Sequence, residues 1–191
     1  MTKRKGLGDG GKTLKQMLEE NGRLLKETGC YAGVTKPHVL KDDPIKAELF
    51  HSRIMSSLIA GRETCKQVSG SPYVREVAEL CMGLYTPEGD NVVQSTGIQV
   101  HVKLMGDNIT WMIENNYEED VGIHDGDLFL ANDPVIAGVH AADNYDLLPV
   151  FWEGELVAWV CTVIMEMDIG AVSPGCMPCT AVERAGDGMK F

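Results

Sequence analysis

The sequence predicts an α+β fold in which helices come first and a largely antiparallel sheet follows. Apolar residues recur at helical spacing in the first third of the chain, whereas short apolar runs separated by turn residues are common from about residue 77 onward. The two patterns do not alternate in the βαβ order that a parallel sheet requires. We therefore expect neighbouring strands to be joined by hairpins and loops.

Two helices are predicted near the N-terminus. The segment 12–28 carries leucine and methionine at helical spacing, and Gly29 after it is a typical helix stop. An Asp-Asp-Pro sequence ending at Pro44 favours the start of a second helix, which we expect to end near Val68. Its predicted buried stripe consists of Phe50, Ile54, Leu58, Cys65 and Val68.

The next segments predict a hairpin and a third helix. Residues 77–85 and 92–100 are extended candidates, and the turn-rich segment 86–91 lies between them. Helical spacing then returns over 104–116. The residues expected to point inward from this helix are Leu104, Ile109, Met112 and Ile113.

The last part of the sequence predicts further strands. Residues 128–130 are typical of a short buried strand, and 147–152 and 156–165 of two longer ones joined by a tight turn. A polar, glycine-bearing loop at 132–144 separates the first of these strands from the other two. Loops held between strands often carry functional residues, so we look for the site there.

The overall charge excludes some classes of function. The chain of 191 residues has 17 Lys and Arg against 28 Asp and Glu, which gives a formal net charge of −11. This balance argues against a general binder of nucleic acid or of anionic membranes. The basic segment 1–5 is followed by glycines rather than by an apolar core, and six cysteines are scattered along the chain. We therefore predict a cytoplasmic protein with reduced thiols.

The most informative motif is His140-Ala-Ala-Asp143 in the 132–144 loop. An imidazole nitrogen and a carboxylate oxygen are suitable ligands for a divalent metal such as Mn, Fe or Zn. The same spacing also serves a helix cap or a surface hydrogen bond. A metal site needs a third protein ligand, for which Glu166 or Asp168 at the end of the last strand are the candidates. The alternative is that both are exposed carboxylates at a strand end.

Asp133 and His101 are the candidate catalytic residues. Asp133 precedes a proline, where an Asx turn would explain it, but it could equally orient a ligating histidine. His101 is isolated in sequence, and a buried, hydrogen-bonded role competes with a catalytic one. Cys176 and Cys179 form a CxxC, which we interpret as a reduced loop pair because no second pair accompanies it. No nucleotide-binding motif of the P-loop or GxGxxG type stands out in the sequence.

From about Tyr31 to its end the sequence resembles a known family. It is similar to the alpha-type subunits of ATP-dependent ketone carboxylases (acetone and acetophenone carboxylase), within the broader hydantoinase B/oxoprolinase family. The matching residues are Ala60–Thr64, Ser71–Pro72, Gly89–Asp90, Ser95–Ile98, His101–Val102, Met105–Gly106, Met112–Asn116, His124–Asp125, Asn132–Asp133, Val139–His140, Asp143, Phe151–Leu156, Asp168, Gly170–Val172 and Pro174–Gly175.

The resemblance implies a division of labour between subunits. A hydantoinase A-like partner would bind ATP and use it to activate bicarbonate and the enol of a small ketone. The alpha-type subunit would host the formation of the carbon–carbon bond beside a divalent metal, which is manganese in acetone carboxylase. By position, His140 and Asp143 match two of the metal ligands. Other carboxylase subunits would complete the complex.

One position departs from the family pattern. The resemblance implies a histidine as the third ligand on the following strand, and the matching residue here is Met165. A thioether is a poor ligand for a hard divalent ion. Three interpretations stay open: Glu166 or Asp168 replaces the histidine, a different metal binds, or this chain works without a metal.

Family members are several-fold longer than this sequence. We expect a lead and helix at 1–30 and, at 31–191, the N-terminal part of a hydantoinase B-like domain. The leading hypothesis is therefore a subunit, or a portion of one, of a carbon–carbon bond-forming ketone carboxylase complex. The alternatives are a subunit of an ATP-dependent cyclic-amide hydrolase of the hydantoinase or oxoprolinase kind, and a non-catalytic structural paralogue.

Overall fold

The computed structural model describes residues 12–37, 41–175 and 177–191. Five strands are found in this part of the chain: β1 Leu80–Tyr85, β2 Asn91–Gln94, β3 Phe129–Ala131, β4 Asp143–Trp152 and β5 Glu155–Met165. They form one antiparallel sheet in the order β2-β1-β5-β4-β3. The predicted α+β fold is confirmed.

The helices of the described residues are mostly placed before and between the strands. They are α1 Leu14–Thr28, α2 Pro44–Val68, α3 Pro72–Arg75, α4 Val100–Glu114, α5 Tyr117–Asp120 and α6 Pro134–Ala137, with 3₁₀ turns at Tyr31–Gly33 and Arg184–Asp187. No helix among the described residues is long and apolar enough to cross a membrane.

Capping residues explain where the first two helices begin and end. Thr13 forms a capping box with Gln16 at the start of α1, and Gly29 ends it with a φ of 69°. The Asp43 carboxylate accepts a hydrogen bond from the Lys46 amide at 2.9 Å at the start of α2. The predicted helix stop at Gly29 and the predicted helix from Pro44 to Val68 are confirmed.

The predicted buried stripe of α2 is wrong at both ends. Leu58 is buried, but Phe50 is 67% exposed and Val68 is 77% exposed. α2 packs on β1 and β2. A Cβ at Gly61, in the C-terminal half of the helix, would lie 2.9 Å from the Met82 sulfur of β1.

The predicted hairpin is present with shorter strands. The chain leaves the sheet after Gln94, because the Ser95 hydroxyl accepts from the Met82 amide at 3.0 Å and Gly97 passes close to the β1 backbone. α4 therefore begins at Val100, four residues before the predicted start of the third helix. The apolar pattern over 92–100 is compatible with one continuous strand, so it could not reveal the loop that follows β2.

The later strands also differ from the prediction in their bounds. β3 is a half-buried edge strand rather than a buried one, because Phe129 faces the core while Leu130 is exposed. β4 begins at Asp143 instead of residue 147, so Asp143 belongs to the sheet. The turn at Glu153 and Gly154 has positive φ at both residues, which is typical of a two-residue hairpin.

The core lies on one face of the sheet, beneath α1 and α4. Met105, Ile109 and Met112 of α4 pack there against alternate residues of β1, β4 and β5. Aromatic rings extend the same layer, with Phe129 and Trp159 in edge contact at 6.1 Å. Leu14 of α1 belongs to this core. The proposed division at residue 30 stays a prediction.

The cysteines of the described residues are free thiols. They are Cys30, Cys65, Cys81, Cys161 and Cys179. Cys176 lies outside the described residues, so the expected pair with Cys179 stays a prediction.

Candidate functional site

The HxxD motif forms one tight turn at the start of β4. The Asp143 amide donates to the His140 carbonyl oxygen at 3.1 Å, which closes the turn and brings both side chains to the same side. His140 Nε2 lies 3.7 Å from Asp143 Oδ2, and Asp143 is only 1% exposed. The spacing of three residues therefore does place an imidazole beside a carboxyl group.

A second imidazole reaches the same carboxyl group from α4. His101 is 4% exposed, and its Nδ1 lies 3.9 Å from Asp143 Oδ2. The same Nδ1 is hydrogen-bonded to the Tyr145 hydroxyl at 2.9 Å. Asp143 and Tyr145 are two residues apart on β4 and share a face, so both can meet His101. We refer to His101, His140 and Asp143 as the His–His–Asp cluster.

Burial controls the ionisation of the cluster. It raises the pKa of Asp143 to about 7, and it lowers the pKa of His101 to about 4 with a smaller contribution from His140. Burial also lowers the pKa of His140, although the nearby carboxylates of Glu79 and Asp187 oppose the effect. Both imidazoles are therefore neutral at neutral pH, when each keeps a lone pair for a proton or a metal.

Some polar atoms of the cluster have no hydrogen-bond partner among the described residues. They are Asp143 Oδ2 and His140 Nδ1, and both are buried. Unpaired buried polar atoms are rare and costly, so they often mark the place of a ligand or an ion. The unpaired oxygen of Asp143 is the atom that both imidazoles approach.

The donors present do not complete the expected metal site. Met165 lies directly opposite Asp143 in the β4–β5 register, on the same face of the sheet, where the resemblance implies a histidine. The nearest further imidazole, His101, already uses its Nδ1 in the bond to Tyr145. Among the described residues no group of three His, Cys, Asp or Glu side chains is arranged to hold a metal ion. Of the three ligands that the resemblance implies, His140 and Asp143 are thus present, and Met165 occupies the third position.

The structure brings neither predicted substitute ligand to the cluster. The Glu166 amide donates to the Ala142 carbonyl at 2.8 Å, which continues the ladder and places Glu166 on the opposite face from Asp143. Glu166 acts instead on Asp146, whose pKa it raises in addition to the larger effect of burial. Asp168 is exposed and accepts from the Gly170 amide at 2.9 Å, so it stabilises a turn.

Asp133 is held by other contacts. One carboxylate oxygen accepts from the Val135 amide at 3.0 Å and caps α6, as the Asx interpretation expects. The other oxygen forms an ion pair with Arg184. These contacts join the loop to the C-terminal segment, and the catalytic role of Asp133 stays a prediction.

An open cleft of about 580 Å³ leads to His140. Its lining includes Val139, Cys179, Arg184 and Asp187. His140 is thus the member of the cluster that borders space for a small molecule, while His101 and Asp143 are buried behind it.

Sequence reasoning missed two residues near the cluster, Tyr145 and Glu79. Tyr145 bonds to a histidine 44 residues away in the chain, and Glu79 acts on His140 and Asp143 from the residue before β1. No spacing rule links residues so far apart. Only the alternation of β4 offered a signal, because Tyr145 shares a face with Asp143.

The profile of the hydantoinase B/oxoprolinase family matches residues 43–191, which is most of the chain. The chain belongs to the hydantoinase B/oxoprolinase family. The resemblance inferred from the sequence is therefore confirmed, and the cluster lies within the matched region.

Several members of the hydantoinase B/oxoprolinase family can be compared directly. The chain is 42% identical over 184 residues to the acetone carboxylase alpha subunit of Xanthobacter autotrophicus, which covers 96% of this chain and 24% of that protein. It is 32% identical over 153 residues to the acetophenone carboxylase delta subunit of Aromatoleum aromaticum, covering 78% and 21%. With the 5-oxoprolinase of Dictyostelium discoideum the identity is 29% over 180 residues, covering 85% and 14%.

Two solved structures share this fold. The nucleotide-free structure of acetone carboxylase superimposes with a TM-score of 0.86 at 41% identity, covering 98% of this chain and 25% of that one. The ATP-dependent caprolactamase of Pseudomonas jessenii gives 0.63 at 20% identity, covering 78% and 25%, and so shares the fold. The chain spans about a quarter of the length of these carboxylase relatives.

Proposed function

We propose that this chain forms part of a subunit of an ATP-dependent ketone carboxylase complex. The observation that carries the proposal is the identity of 42% to an acetone carboxylase alpha subunit over 96% of the chain. The oxoprolinase relative is more distant, at 29%. The high TM-score with acetone carboxylase supports the same choice.

The proposed reaction joins the α-carbon of a small ketone to the carbon of bicarbonate. The α-carbon loses a proton, the new carbon–carbon bond forms, and a bicarbonate oxygen leaves, carried by phosphate after activation with ATP. A hydantoinase A-like partner would bind the ATP, and further carboxylase subunits would complete the assembly. The product is a 3-oxo carboxylate.

Within this chain, His140 is the residue that we place closest to the substrate. It borders the cleft, and the proposed α-proton needs a neutral base such as an imidazole. His101 is buried, hydrogen-bonded to Tyr145 and packed next to the carboxyl group of Asp143. In this role it excludes water from the buried side of that carboxyl group. No step is assigned to a metal, because its ligand set is incomplete.

An assay of the natively purified complex tests the proposal. We expect loss of the ketone that depends on both ATP and bicarbonate, and a decrease of about 100-fold or more in His140→Ala. His51→Ala, in an exposed position of α2, is the matched control and should keep the activity. Absence of any ATP- and bicarbonate-dependent carboxylation would contradict the proposal.

The alternatives give different results in the same assay. Hydrolysis of a cyclic amide without a bicarbonate requirement would favour the hypothesis of a hydantoinase- or oxoprolinase-type hydrolase. The third hypothesis is a non-catalytic paralogue, which is favoured by the presence of Met165 where the resemblance implies a histidine. In that case the complex would keep full activity when His140 or Asp143 is replaced by alanine.

A further inference from the structure

Two donors of a metal site already stand in place beside Met165. His140 Nε2 and Asp143 Oδ2 are 3.7 Å apart, and this oxygen has no hydrogen-bond partner among the described residues. Adjacent ligand atoms at about 2.1 Å from one octahedral ion lie roughly 3.0 Å from each other. The pair could therefore hold an ion after its two atoms move closer by roughly 0.7 Å.

The missing donor has an obvious position. Met165 is paired with Asp143 across β4 and β5, and it is 3% exposed. Paired residues on one face have Cβ atoms about 5 Å apart, so a side chain at 165 that carries a nitrogen donor would reach the unpaired oxygen of Asp143. The methionine supplies a soft sulfur instead, which hard ions such as Mn²⁺ bind poorly.

The other nearby side chains do not complete the pair. His101 Nδ1 is bonded to the Tyr145 hydroxyl at 2.9 Å, and Asp168 accepts from the Gly170 amide. Glu166 lies on the opposite face of the sheet, next to Asp146. The charge of Glu79 acts on both His140 and Asp143, but no group of three His, Cys, Asp or Glu side chains among the described residues is placed to hold a metal ion.

We infer that residue 165 alone decides whether this chain holds a hard divalent ion at the cluster. The present chain does not bind Mn²⁺ there, and the single substitution Met165→His makes the cluster a manganese centre with His140 and Asp143. The inference does not rest on the carboxylase proposal, since it concerns only the donors of this chain.

The fold should accept the substitution. Histidine is no larger than methionine, and its ring would gain a hydrogen-bonding partner in the buried Asp143 oxygen, which now has none. Met165→Leu is the parallel variant that tests packing alone. Circular dichroism and a melting curve of both variants show whether the sheet has formed.

The experiment measures bound manganese in the full chain, purified with the subunits that accompany it. Each protein is equilibrated with MnCl₂, desalted, and analysed by elemental mass spectrometry and by the EPR signal of Mn²⁺. We expect background manganese in the unmodified chain and about one ion per chain in Met165→His. The ion should be lost again when His140→Ala is added.

Met167→His is the matched control, because it adds a histidine two residues away, at an exposed position beyond the end of β5. It should stay at background. If the unmodified chain binds about one Mn²⁺ and loses it in His140→Ala, the inference is wrong. If that bound Mn²⁺ is also lost in Glu79→Gln, Glu79 supplies the third donor. A folded Met165→His that binds no Mn²⁺ would also overturn it. None of these readouts depends on carboxylation.

Discussion

At the level of single residues, the two faces of β4 hold acids with different surroundings, because Asp143 is buried and Asp146 is half-buried. Asp143 faces the cluster, whereas Asp146 lies on the other face, where burial and then Glu166 raise its pKa to about 6. The ordinary pKa of this carboxyl group is about 3.8. Between these two values the folded protein binds a proton that the unfolded chain has lost. Stability therefore falls as the pH rises from about 4 to about 6.

Asp146→Asn should remove this part of the pH dependence. The amide cannot ionise, so we expect the variant to be more stable than the unmodified chain by about 1–2 kcal/mol above pH 7, after allowance for screening by solvent. The gain should shrink through pH 4 and vanish below about pH 3, where Asp146 is protonated in both states. Urea unfolding at several pH values measures it, and an equal gain at pH 4 and pH 8 would contradict the argument.

The candidate site shows which residues a sequence can reveal. His140 and Asp143 could be predicted because their spacing alone closes the turn that brings them together. The contact between His101 and Tyr145 could not, since it joins α4 to β4 across 44 residues and depends on how the helix sits on the sheet. The same holds for Glu79, which the fold carries to the cluster from the start of β1.

At the level of elements, one close approach sets how α4 lies against the first hairpin. A Cβ at Gly106 would be 2.3 Å from the Gly89 carbonyl oxygen, and one at Gly89 would be 2.7 Å from the Gly106 oxygen. Both neighbours are backbone atoms, which cannot rotate away. The two glycines therefore allow the helix to contact the turn directly, and this contact places His101 at the N-terminal end of α4.

Gly106→Ala should force this contact apart. We expect a loss of about 2–3 kcal/mol in the free energy of unfolding, because the backbone of either α4 or the turn must move. Gly22→Ala in α1 is the matched control, since nothing lies within 4 Å of the added methyl group there. That variant should gain about 0.5–1 kcal/mol from helix propensity. Similar effects of the two substitutions in thermal unfolding would show that the contact is not tight.

Element boundaries were predictable where local chemistry decides them. Thr13, Asp43 and Gly29 cap helices through contacts within a few residues, so the sequence alone is enough to locate those ends. Burial along α2 could not be predicted, because Phe50 and Val68 carry the right period but are exposed in the described part of the chain. Which part of a helix its neighbours cover is a property of the assembled fold.

At the level of the whole molecule, Asn132 connects three segments that are distant in sequence. Its amide nitrogen donates to the carbonyls of Ala141 and Met189, both at 2.8 Å, and its amide oxygen accepts from the Phe191 amide at 2.9 Å. The end of β3, the HxxD turn and the C-terminal segment thus meet at one buried side chain. Local sequence patterns carry no sign of this connection.

Asn132→Ala should therefore loosen the C-terminal segment together with the HxxD turn. One buried and two partly buried backbone groups lose their partner, which should cost about 2–4 kcal/mol, and hydrogen exchange at the Phe191 amide should become faster than at strand amides of β5. Asn132→Asp keeps the oxygen that accepts from Phe191 but loses both donated bonds, so it should destabilise the protein while Phe191 stays protected. Asn115→Ala removes one exposed hydrogen bond, to the Trp111 carbonyl at the end of α4, so it should cost much less and leave exchange at Phe191 unchanged. If Phe191 exchanges at the same rate in the alanine variant as in the unmodified chain, its amide is protected by something other than Asn132, and the three segments are held together in another way.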